Sequence, residues 1–157
     1  MLQQRILIVD DDTDMCRLLN RFLTRNGFEV SETYSGKKTL AWMDANKADL
    51  ILCDFRLDDM DGNHLLKLIK QKNPAVPVII ITGYSDVKAA VEVIKMGAYD
   101  YITKPLLPDD ILLTIKRALN ESNNESGEVK ENSNSVKKIN AQEKKKTPPP
   151  DIIVSGE

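Results

Sequence analysis

Short runs of aliphatic residues recur through the first two-thirds of the chain and predict buried strands. The strongest runs cover residues 6–9, 50–53 and 76–81, and weaker runs cover residues 28–30 and 99–102. The strong runs are almost continuously apolar and show no regular alternation with polar residues. This pattern is typical of parallel strands, which are covered on both faces of their sheet.

Amphipathic stretches with helical spacing separate the predicted strands. The first covers residues 15–27, where apolar side chains share one helical face and Gly27 is a predicted C-terminal cap. The fourth is expected to be capped by Ser85 and ended by Gly97. The remaining helices are predicted to begin after Ser35, Asp61 and Pro108.

Five strand–helix pairs in alternation predict an α/β fold. We expect a doubly wound, five-stranded parallel sheet in the order 2-1-3-4-5, with helices on both faces and right-handed crossovers. In such a sheet, ligands bind beyond the carboxyl ends of the strands, near the point where the strand order reverses. Polar residues at those ends are therefore candidates for function.

The character of the chain changes at about Ser122. Residues 122–157 are rich in Ser, Asn, Glu and Lys, and three prolines precede the closing "DIIVSGE". This composition predicts a disordered linker, and the final apolar burst resembles the opening of a second domain. We therefore assign residues 1–121 to one folded domain and residues 122–157 to a linker that leads to an absent effector domain.

Composition narrows the class of partner. The 157 residues carry a formal net charge of -2, which gives no overall attraction to nucleic acid or to an anionic membrane.

Cys16 and Cys53 lie in apolar runs and are expected to be buried, reduced thiols rather than a disulfide or a zinc site. The chain has no signal-peptide pattern and no membrane-spanning apolar run, so we expect it in the cytoplasm.

Polar residues stand at the ends of four predicted strands: Asp10 and Asp11, Asp54, Thr82 and Lys104. Because the first and third strands are neighbours, three carboxylates should converge, and they are too crowded to ionise together without a cation. Hard oxygen ligands suit Mg2+. A hydroxyl and an ammonium group facing a metal-bound carboxylate match the needs of phosphoryl transfer, and Asp54 is the candidate nucleophile.

Each of these residues has a simpler interpretation as a cap or a surface charge. That interpretation is adequate for one residue, but it explains poorly why five of them fall at one edge. It does suit Asp12, since we expect either Asp12 or Thr13 to cap the first helix. It also suits His64, which reads as a surface residue of the third helix and not as a metal ligand.

In combination, these residues resemble the receiver domains of two-component response regulators, over residues 5–120. The resemblance implies that Asp54 accepts a phosphoryl group and that Asp10 and Asp11 bind Mg2+. It further implies that the main-chain carbonyl of Arg56 completes the coordination of the ion. The segment "TGYSDVKAAVEVIKMGAYDYITKPL" is most similar to receivers of sigma-54-dependent transcriptional activators.

The resemblance also assigns switching residues. Thr82 corresponds to the hydroxyl that moves to the phosphoryl group, and Tyr101 to the aromatic side chain that turns inward. Lys104 corresponds to the lysine that pairs with the phosphoryl oxygens, and Pro105 follows it in a cis peptide bond.

The loop after the phosphoacceptor departs from the family. Asp58 stands where a proline is usual, while Gly62 retains a permissive backbone. We expect Asp58 to change the stiffness and charge of the loop without abolishing phosphorylation.

The partners implied by the resemblance are a sensor histidine kinase and a second copy of the chain. The homodimer, or a contact with an output domain, would use the face built by the fourth helix, fifth strand and fifth helix. Contacts with DNA and sigma-54 RNA polymerase would require domains absent here, and no membrane partner is expected. The chain would be a phosphoacceptor that assists its own phosphorylation and dephosphorylation rather than an enzyme.

Two other functions use similar residues. "VDDDTD" is superficially similar to the nucleophile motif of haloacid-dehalogenase-like phosphatases, but that motif has Thr or Val at the position of Asp14. A flavin-binding module would need a Ser, Thr or Gly phosphate cradle after the first strand, where three aspartates would repel the phosphate.

Overall fold

The computed structural model describes residues 3–83 and 87–124. Strands and helices alternate along this part of the chain. The strands are β1 Arg5–Val9, β2 Glu29–Thr33, β3 Leu50–Asp54, β4 Val78–Thr82 and β5 Asp100–Thr103. The helices are α1 Thr13–Arg25, α2 Gly36–Ala45, α3 Gly62–Lys72, α4 Val87–Lys95 and α5 Pro108–Asn124.

All strand pairs are parallel, and the strands form one sheet in the order β2-β1-β3-β4-β5. The predicted fold class and strand order are therefore confirmed. The register aligns the carboxyl ends, because Asp54 lies opposite Ile81 and Thr82 lies opposite Thr103. The polar residues that end these strands consequently reach the same edge of the sheet.

Each face of the sheet carries its own apolar core. Ile6 and Ile8 of β1 belong to the core on one face, whereas Leu7 and Val9 belong to the core on the other. The first core includes buried residues of α1 and α5, and the second includes buried residues of α3 and α4. Because both faces are covered, the central strands carry apolar side chains on both faces over most of their length, as the sequence pattern predicted.

Two strands differ from their predicted bounds by more than one residue at one end, and the other three agree to within one residue. β2 was expected over residues 28–30, but its pairing with β1 extends from Glu29 to Thr33. β2 is an edge strand with mostly polar side chains, so the hydrophobic pattern underestimated it. β4 begins at Val78 rather than at residue 76, since Pro77 has no N–H to donate to a strand ladder.

The predicted helix ends are largely confirmed. Asp12 is the N-cap of α1, where its Oδ1 accepts hydrogen bonds from the backbone N–H groups of Asp14 and Met15, at 3.1 and 3.2 Å. Gly27 and Gly97 follow α1 and α4 with φ of 95° and 114°, as C-terminal caps require.

Other predicted boundaries were only partly met. Asp61 occupies the N-cap position of α3 but makes no side-chain cap hydrogen bond. Helix α5 continues to Asn124, and the domain boundary that we placed at residue 121 stays a prediction. The predicted cap Ser85 and most of the predicted linker lie outside the described residues. Within residues 3–83 and 87–124, no helix has the length and apolar character needed to cross a bilayer.

The loop after β3 is fastened to the beginning of α2. Oδ1 of Asp59 accepts a hydrogen bond from the backbone N–H of Gly36, and Oδ2 accepts one from that of Lys37, both at 2.9 Å. Ser35, the predicted cap of this helix, accepts from Lys38 N–H at 3.1 Å. A Cβ on Gly36 would lie 2.6 Å from Cγ of Met60, so the loop and the helix pack closely.

We expect Asp59→Ala to lower the free energy of unfolding by about 1 kcal/mol, as the loss of a helix cap does. Burial acts to raise the pKa of Asp59, but the N–H groups of Gly36 and Lys37 outweigh it and hold the pKa below its usual value. The folded protein thus favours the carboxylate, and this stabilisation should be lost as the pH falls below about 4.

Urea unfolding at pH 7 and pH 3 measures this effect. Asp61→Ala is the matched control, since Asp61 lies in the same loop without a side-chain cap hydrogen bond. A loss of stability at pH 7 that is no greater for Asp59→Ala than for Asp61→Ala would contradict the assignment.

Candidate functional site

The carboxyl edge of the sheet brings the three predicted carboxylates together. Asp10 follows β1 directly, Asp11 is the next residue, and Asp54 is the last residue of β3. One carboxylate oxygen from each lies within 4.8 Å of the others. The convergence was predicted from the strand order, and the geometry confirms it.

Lys104, the residue after β5, reaches the same cluster. Its Nζ lies 3.3 Å from Oδ1 of Asp54, and its backbone N–H donates to the carbonyl of Thr82 at 2.8 Å. The Lys104–Pro105 peptide bond is cis, as the family resemblance implied. Thr82 is the last residue of β4 and is only 1% exposed. Strand ends from β3 and β4 and the start of the loop after β5 therefore meet at one place.

Burial and mutual repulsion oppose ionisation of the cluster. Asp10 is 5% exposed, and its pKa is raised to about 6, chiefly by burial and further by the charge of Asp54. The N–H of Asp12 donates to Oδ1 of Asp10 at 2.9 Å and, with Lys104, partly offsets these effects. Burial also raises the pKa of Asp54, against the opposing charge of Lys104. A single lysine does not neutralise this group of acids.

The donor set fits a magnesium ion. Mg2+ binds oxygen ligands at about 2.1 Å, so adjacent ligands of its octahedron lie about 3 Å apart and opposite ligands about 4.2 Å apart. One oxygen each of Asp10, Asp11 and Asp54 lies within 4.8 Å of the others, so the three carboxylates are close enough to share one ion after they draw together around it. Hard carboxylate oxygens are the ligand type that Mg2+ prefers.

The loop after β3 closes tightly over this edge. Arg56 and Asp61 form an antiparallel bridge, and the N–H of Gly62 donates to the carbonyl of Phe55 at 2.6 Å. A Cβ on Gly62 would lie 2.8 Å from backbone atoms of Phe55, and the φ of Gly62 is not positive. Glycine is therefore needed for space, not for the conformational freedom that we had expected.

Asp58 has an effect on the cluster that the sequence did not reveal. Its carboxylate lies near enough to Asp11 for its charge to act on that acid. Burial raises the pKa of Asp11, and the neighbouring charge of Asp58 raises it further. We had expected Asp58 to affect loop stiffness and surface charge. Its place four residues after Asp54, in the loop that follows a strand end, was the available signal.

The remaining predicted residues surround the cluster or stay apart from it. Tyr101 lies in β5 opposite Ile80 and packs, half-buried, against the core that includes α3 and α4. Cys16 and Cys53 are buried free thiols, as predicted, and His64 is exposed.

Comparison with known proteins identifies the family. Residues 6–116 match the family model described as "Response regulator receiver domain". The chain belongs to this family of receiver domains. The acidic cluster and the lysine thus lie in a receiver fold, and the comparisons lend no support to the phosphatase alternative.

Relatives of this receiver are transcriptional regulators. The chain is 46% identical over 114 residues to "Transcriptional regulatory protein ZraR" of Escherichia coli (strain K12), covering 73% of this chain and 26% of that protein. It is 39% identical over 119 residues to "DNA-binding transcriptional regulator NtrC" of Proteus hauseri, covering 76% and 25%. The chain therefore spans about a quarter of the curated relatives that it matches.

Solved structures of response regulators are similar to this chain in fold and in sequence. A CheY-like response regulator receiver domain protein from Methanospirillum hungatei JF-1 has a TM-score of 0.76 and 35% identity, covering 79% of this chain and 99% of that one. NtrX from Brucella abortus, in complex with ADP, has a TM-score of 0.74 and 34% identity, covering 78% and 28%. This receiver is thus of the type found in ZraR and NtrC.

We expect Asp10→Asn to stabilise the receiver when divalent cations are removed. Because the folded pKa of Asp10 is about 6 and the ordinary value is 3.8, ionising this group disfavours the folded state as the pH rises between those values. An asparagine keeps an acceptor for the N–H of Asp12 and carries no charge. The variant should gain about 3 kcal/mol at pH 7.5 but only about 1 kcal/mol at pH 4.5.

Denaturant unfolding in EDTA at the two pH values measures the gain. Asp14→Asn, on the exposed first turn of α1, removes the same charge outside the cluster. A gain for Asp10→Asn that is equal at both pH values would argue against the raised pKa.

Proposed function

We propose that this receiver accepts a phosphoryl group on Asp54 from the phosphohistidine of a sensor histidine kinase. The observation that carries the proposal is the position of Asp54, between Nζ of Lys104 at 3.3 Å and the two carboxylates of Asp10 and Asp11. A nucleophile flanked by a fixed cation and by ligands for a second cation suits an incoming phosphoryl group, whose oxygens are negatively charged. Membership of the receiver family supports the same assignment.

In the transfer, a carboxylate oxygen of Asp54 attacks phosphorus while the bond from phosphorus to the donor nitrogen breaks. The imidazole of the kinase leaves with the bonding electrons, and an aspartyl phosphate forms on Asp54. The ammonium group of Lys104, already beside this carboxylate, then pairs with an oxygen of the phosphoryl group. Lys104 is held in place because its backbone N–H donates to the carbonyl of Thr82.

We assign the metal site to Asp10, Asp11, Asp54 and the main-chain carbonyl of Arg56. Mg2+ bound there supplies positive charge that offsets the negative charge of the phosphoryl oxygens. The protein itself supplies a group of buried acids whose repulsion a cation relieves. The N–H of Asp12, donating to Asp10, keeps one of these carboxylates oriented.

We further propose that phosphorylation changes the face built by α4, β5 and α5. In this scheme the hydroxyl of Thr82 moves to the phosphoryl group and Tyr101 turns inward. The scheme is supported by the placement of the two residues on paired strands, since Thr82 ends β4 and Tyr101 lies on β5 two residues before Thr103, the partner of Thr82. Such a change in a packed element is the kind of two-state response that a signal can bias.

The output of the switch is proposed to be transcriptional. The altered face would form a homodimer or contact a following effector domain, and residues 122–157 would be the linker to that domain. DNA and sigma-54 RNA polymerase would be contacted only through domains absent from this chain. The proposal is supported by the names of the relatives, of which the chain spans about a quarter. The receiver would act in the cytoplasm as a phosphoacceptor without turnover of a separate substrate.

The role of Asp54 is tested by Asp54→Asn. Incubation with acetyl phosphate and Mg2+ should phosphorylate the wild-type protein, and the variant should remain at background because an amide is not a competent nucleophile. Mass spectrometry of the intact chain, or a phosphate-affinity gel, measures the product. Asp49→Asn changes a carboxylate near the opposite end of β3 and should be phosphorylated like the wild type.

Two outcomes would contradict this role. One is wild-type phosphorylation of Asp54→Asn. The other is hydrolysis of a small phosphomonoester that is lost in Asp10→Asn but retained in Asp54→Asn, which would favour the phosphatase function.

The separation of Asp11 from Asp12 gives a further prediction. Mg2+ should raise the melting temperature of the receiver, because it binds the folded cluster and not the unfolded chain. Asp11→Ala should largely remove this rise. Asp12→Ala should lower the melting temperature through loss of the α1 cap, but should leave the rise with Mg2+ nearly intact.

Differential scanning fluorimetry over a Mg2+ titration distinguishes the two variants. Equal losses of the Mg2+-dependent rise in Asp11→Ala and Asp12→Ala would refute the separate roles of these neighbouring acids.

A further inference from the structure

The loop between β3 and α3 carries a proposed Mg2+ ligand near its beginning and an anchor near its tip. Arg56, whose main-chain carbonyl is the proposed ligand, comes two residues after the end of β3. Asp59 lies three residues further on, and its two carboxylate oxygens accept from the backbone N–H groups of Gly36 and Lys37, both at 2.9 Å. The anchor on α2 is therefore close enough along the chain to influence where that carbonyl lies.

The base of the loop is held by its own backbone. The N–H of Gly62 donates to the carbonyl of Phe55 at 2.6 Å, and Arg56 and Asp61 form an isolated antiparallel bridge. An isolated two-stranded hairpin is at best marginally stable in water, and a single bridge holds less than a hairpin. Residues 57–60, between the ends of the bridge, therefore need contacts outside the loop.

Neighbouring elements supply these contacts. Leu57 is buried in the core that includes α3 and α4. At the beginning of α2, a Cβ on Gly36 would lie 2.6 Å from Cγ of Met60, and Asp59 accepts from two N–H groups of the first turn. Apolar contacts are not directional, whereas hydrogen bonds have a preferred angle as well as a distance. The contact of Asp59 thus fixes an orientation of the loop that the packing of Leu57 and Met60 leaves free.

We propose that Asp59 is a positioning residue of the cation site, which fastens the loop to α2 and so holds the main-chain carbonyl of Arg56 in place for Mg2+. Mg2+ demands nearly ideal octahedral geometry, so a ligand that must first be ordered weakens binding. The inference rests on the proposed function, in that it takes Arg56 as a ligand together with the three carboxylates. It goes further by assigning part of the Mg2+ affinity to a residue that is not a ligand and to the helix that it caps.

The test compares the Mg2+ dissociation constant with the free energy of unfolding in EDTA, both for the full chain at pH 7.5. Asp59→Ala should weaken Mg2+ binding about 10-fold, as the loss of a group that orients a metal ligand does. Ser35→Ala is the matched control, because the Ser35 side chain caps the same helix through the N–H of Lys38, at 3.1 Å. This control should lower the stability of the receiver but bind Mg2+ like the wild type.

Two further variants separate charge from hydrogen bonding. Asp61→Asn removes a carboxylate from the same loop, where the side chain makes no cap hydrogen bond, and should leave the dissociation constant unchanged. Asp59→Asn removes the charge but keeps one oxygen that can accept from α2, so it should retain more affinity than Asp59→Ala. Isothermal titration calorimetry measures the affinities, and the unfolding curves show whether each variant is folded.

Hydrogen exchange in the wild type gives a readout that needs no substitution. Coupling between two sites is reciprocal, so a contact that favours Mg2+ binding about 10-fold must itself be favoured by bound Mg2+ to the same extent. The N–H groups of Gly36 and Lys37, which donate to Asp59, should exchange about 10-fold more slowly in saturating Mg2+ than in EDTA. The N–H of Lys38, which donates to Ser35, should change much less.

Wild-type affinity in Asp59→Ala would overturn the proposal, and so would an equal loss in Ser35→Ala, because the effect would then follow helix stability. An equal loss in Asp61→Asn, or no recovery in Asp59→Asn, would overturn it by assigning the effect to charge. If Asp59→Ala does not fold, exchange in the wild type decides, since equal slowing of all three N–H groups would contradict the coupling.

Failure of the proposed metal site itself looks different. In that case the wild type would bind Mg2+ no better than Asp11→Ala, whatever residue stands at position 59.

Discussion

Repulsion among three carboxylates at one edge of the sheet is the constraint on which the site depends. Asp10 and Asp54 end neighbouring buried strands, and the parallel register leaves them no room to separate. Their raised pKa values are the direct consequence, since burial and like charge both disfavour ionisation. The surrounding groups offset part of this cost: the N–H of Asp12 donates to one acid, and Lys104 pairs with another. A cluster of buried like charges goes against the ordinary rules of protein stability, and such exceptions are typical of functional sites.

The same edge links the site to the rest of the molecule. Lys104 contacts Asp54 with its side chain and Thr82 with its backbone, so an ion pair and a strand-end hydrogen bond share one residue. On the other side, the loop after β3 runs from Asp54 to the beginning of α2, where Asp59 fastens it. A change of charge at Asp54 therefore alters the forces on β4 and on the loop after β5, which Lys104 connects to it. It also alters the forces on the loop that contacts α2, which begins at Asp54. This connectivity gives the proposed switch a physical route that begins at the acidic cluster.

Much of the fold was predictable because burial on both faces leaves a strong hydrophobic pattern. β1, β3 and β4 are central strands, and their continuous apolar runs gave the class of sheet and, with the helices between them, its order. The site residues were predictable for the same reason, since strand ends of a parallel sheet share an edge. β2 was underestimated because an edge strand pairs through its backbone and can carry polar side chains. The effect of the Asp58 charge on Asp11 was missed because a loop has no periodicity that predicts where a side chain lies.

The sequence by itself determined the alternation of elements, the parallel sheet and the candidates Asp10, Asp11, Asp54, Thr82 and Lys104, because each depends on local pattern and on the polarity of strand ends. Tertiary structure alone decided the contacts that depend on how separate segments pack. Gly62 is needed because the backbone of Phe55 occupies the space of a side chain. Asp59 caps a helix that precedes it by more than twenty residues. Such contacts depend on distances in space between residues far apart in the chain, which no local pattern records.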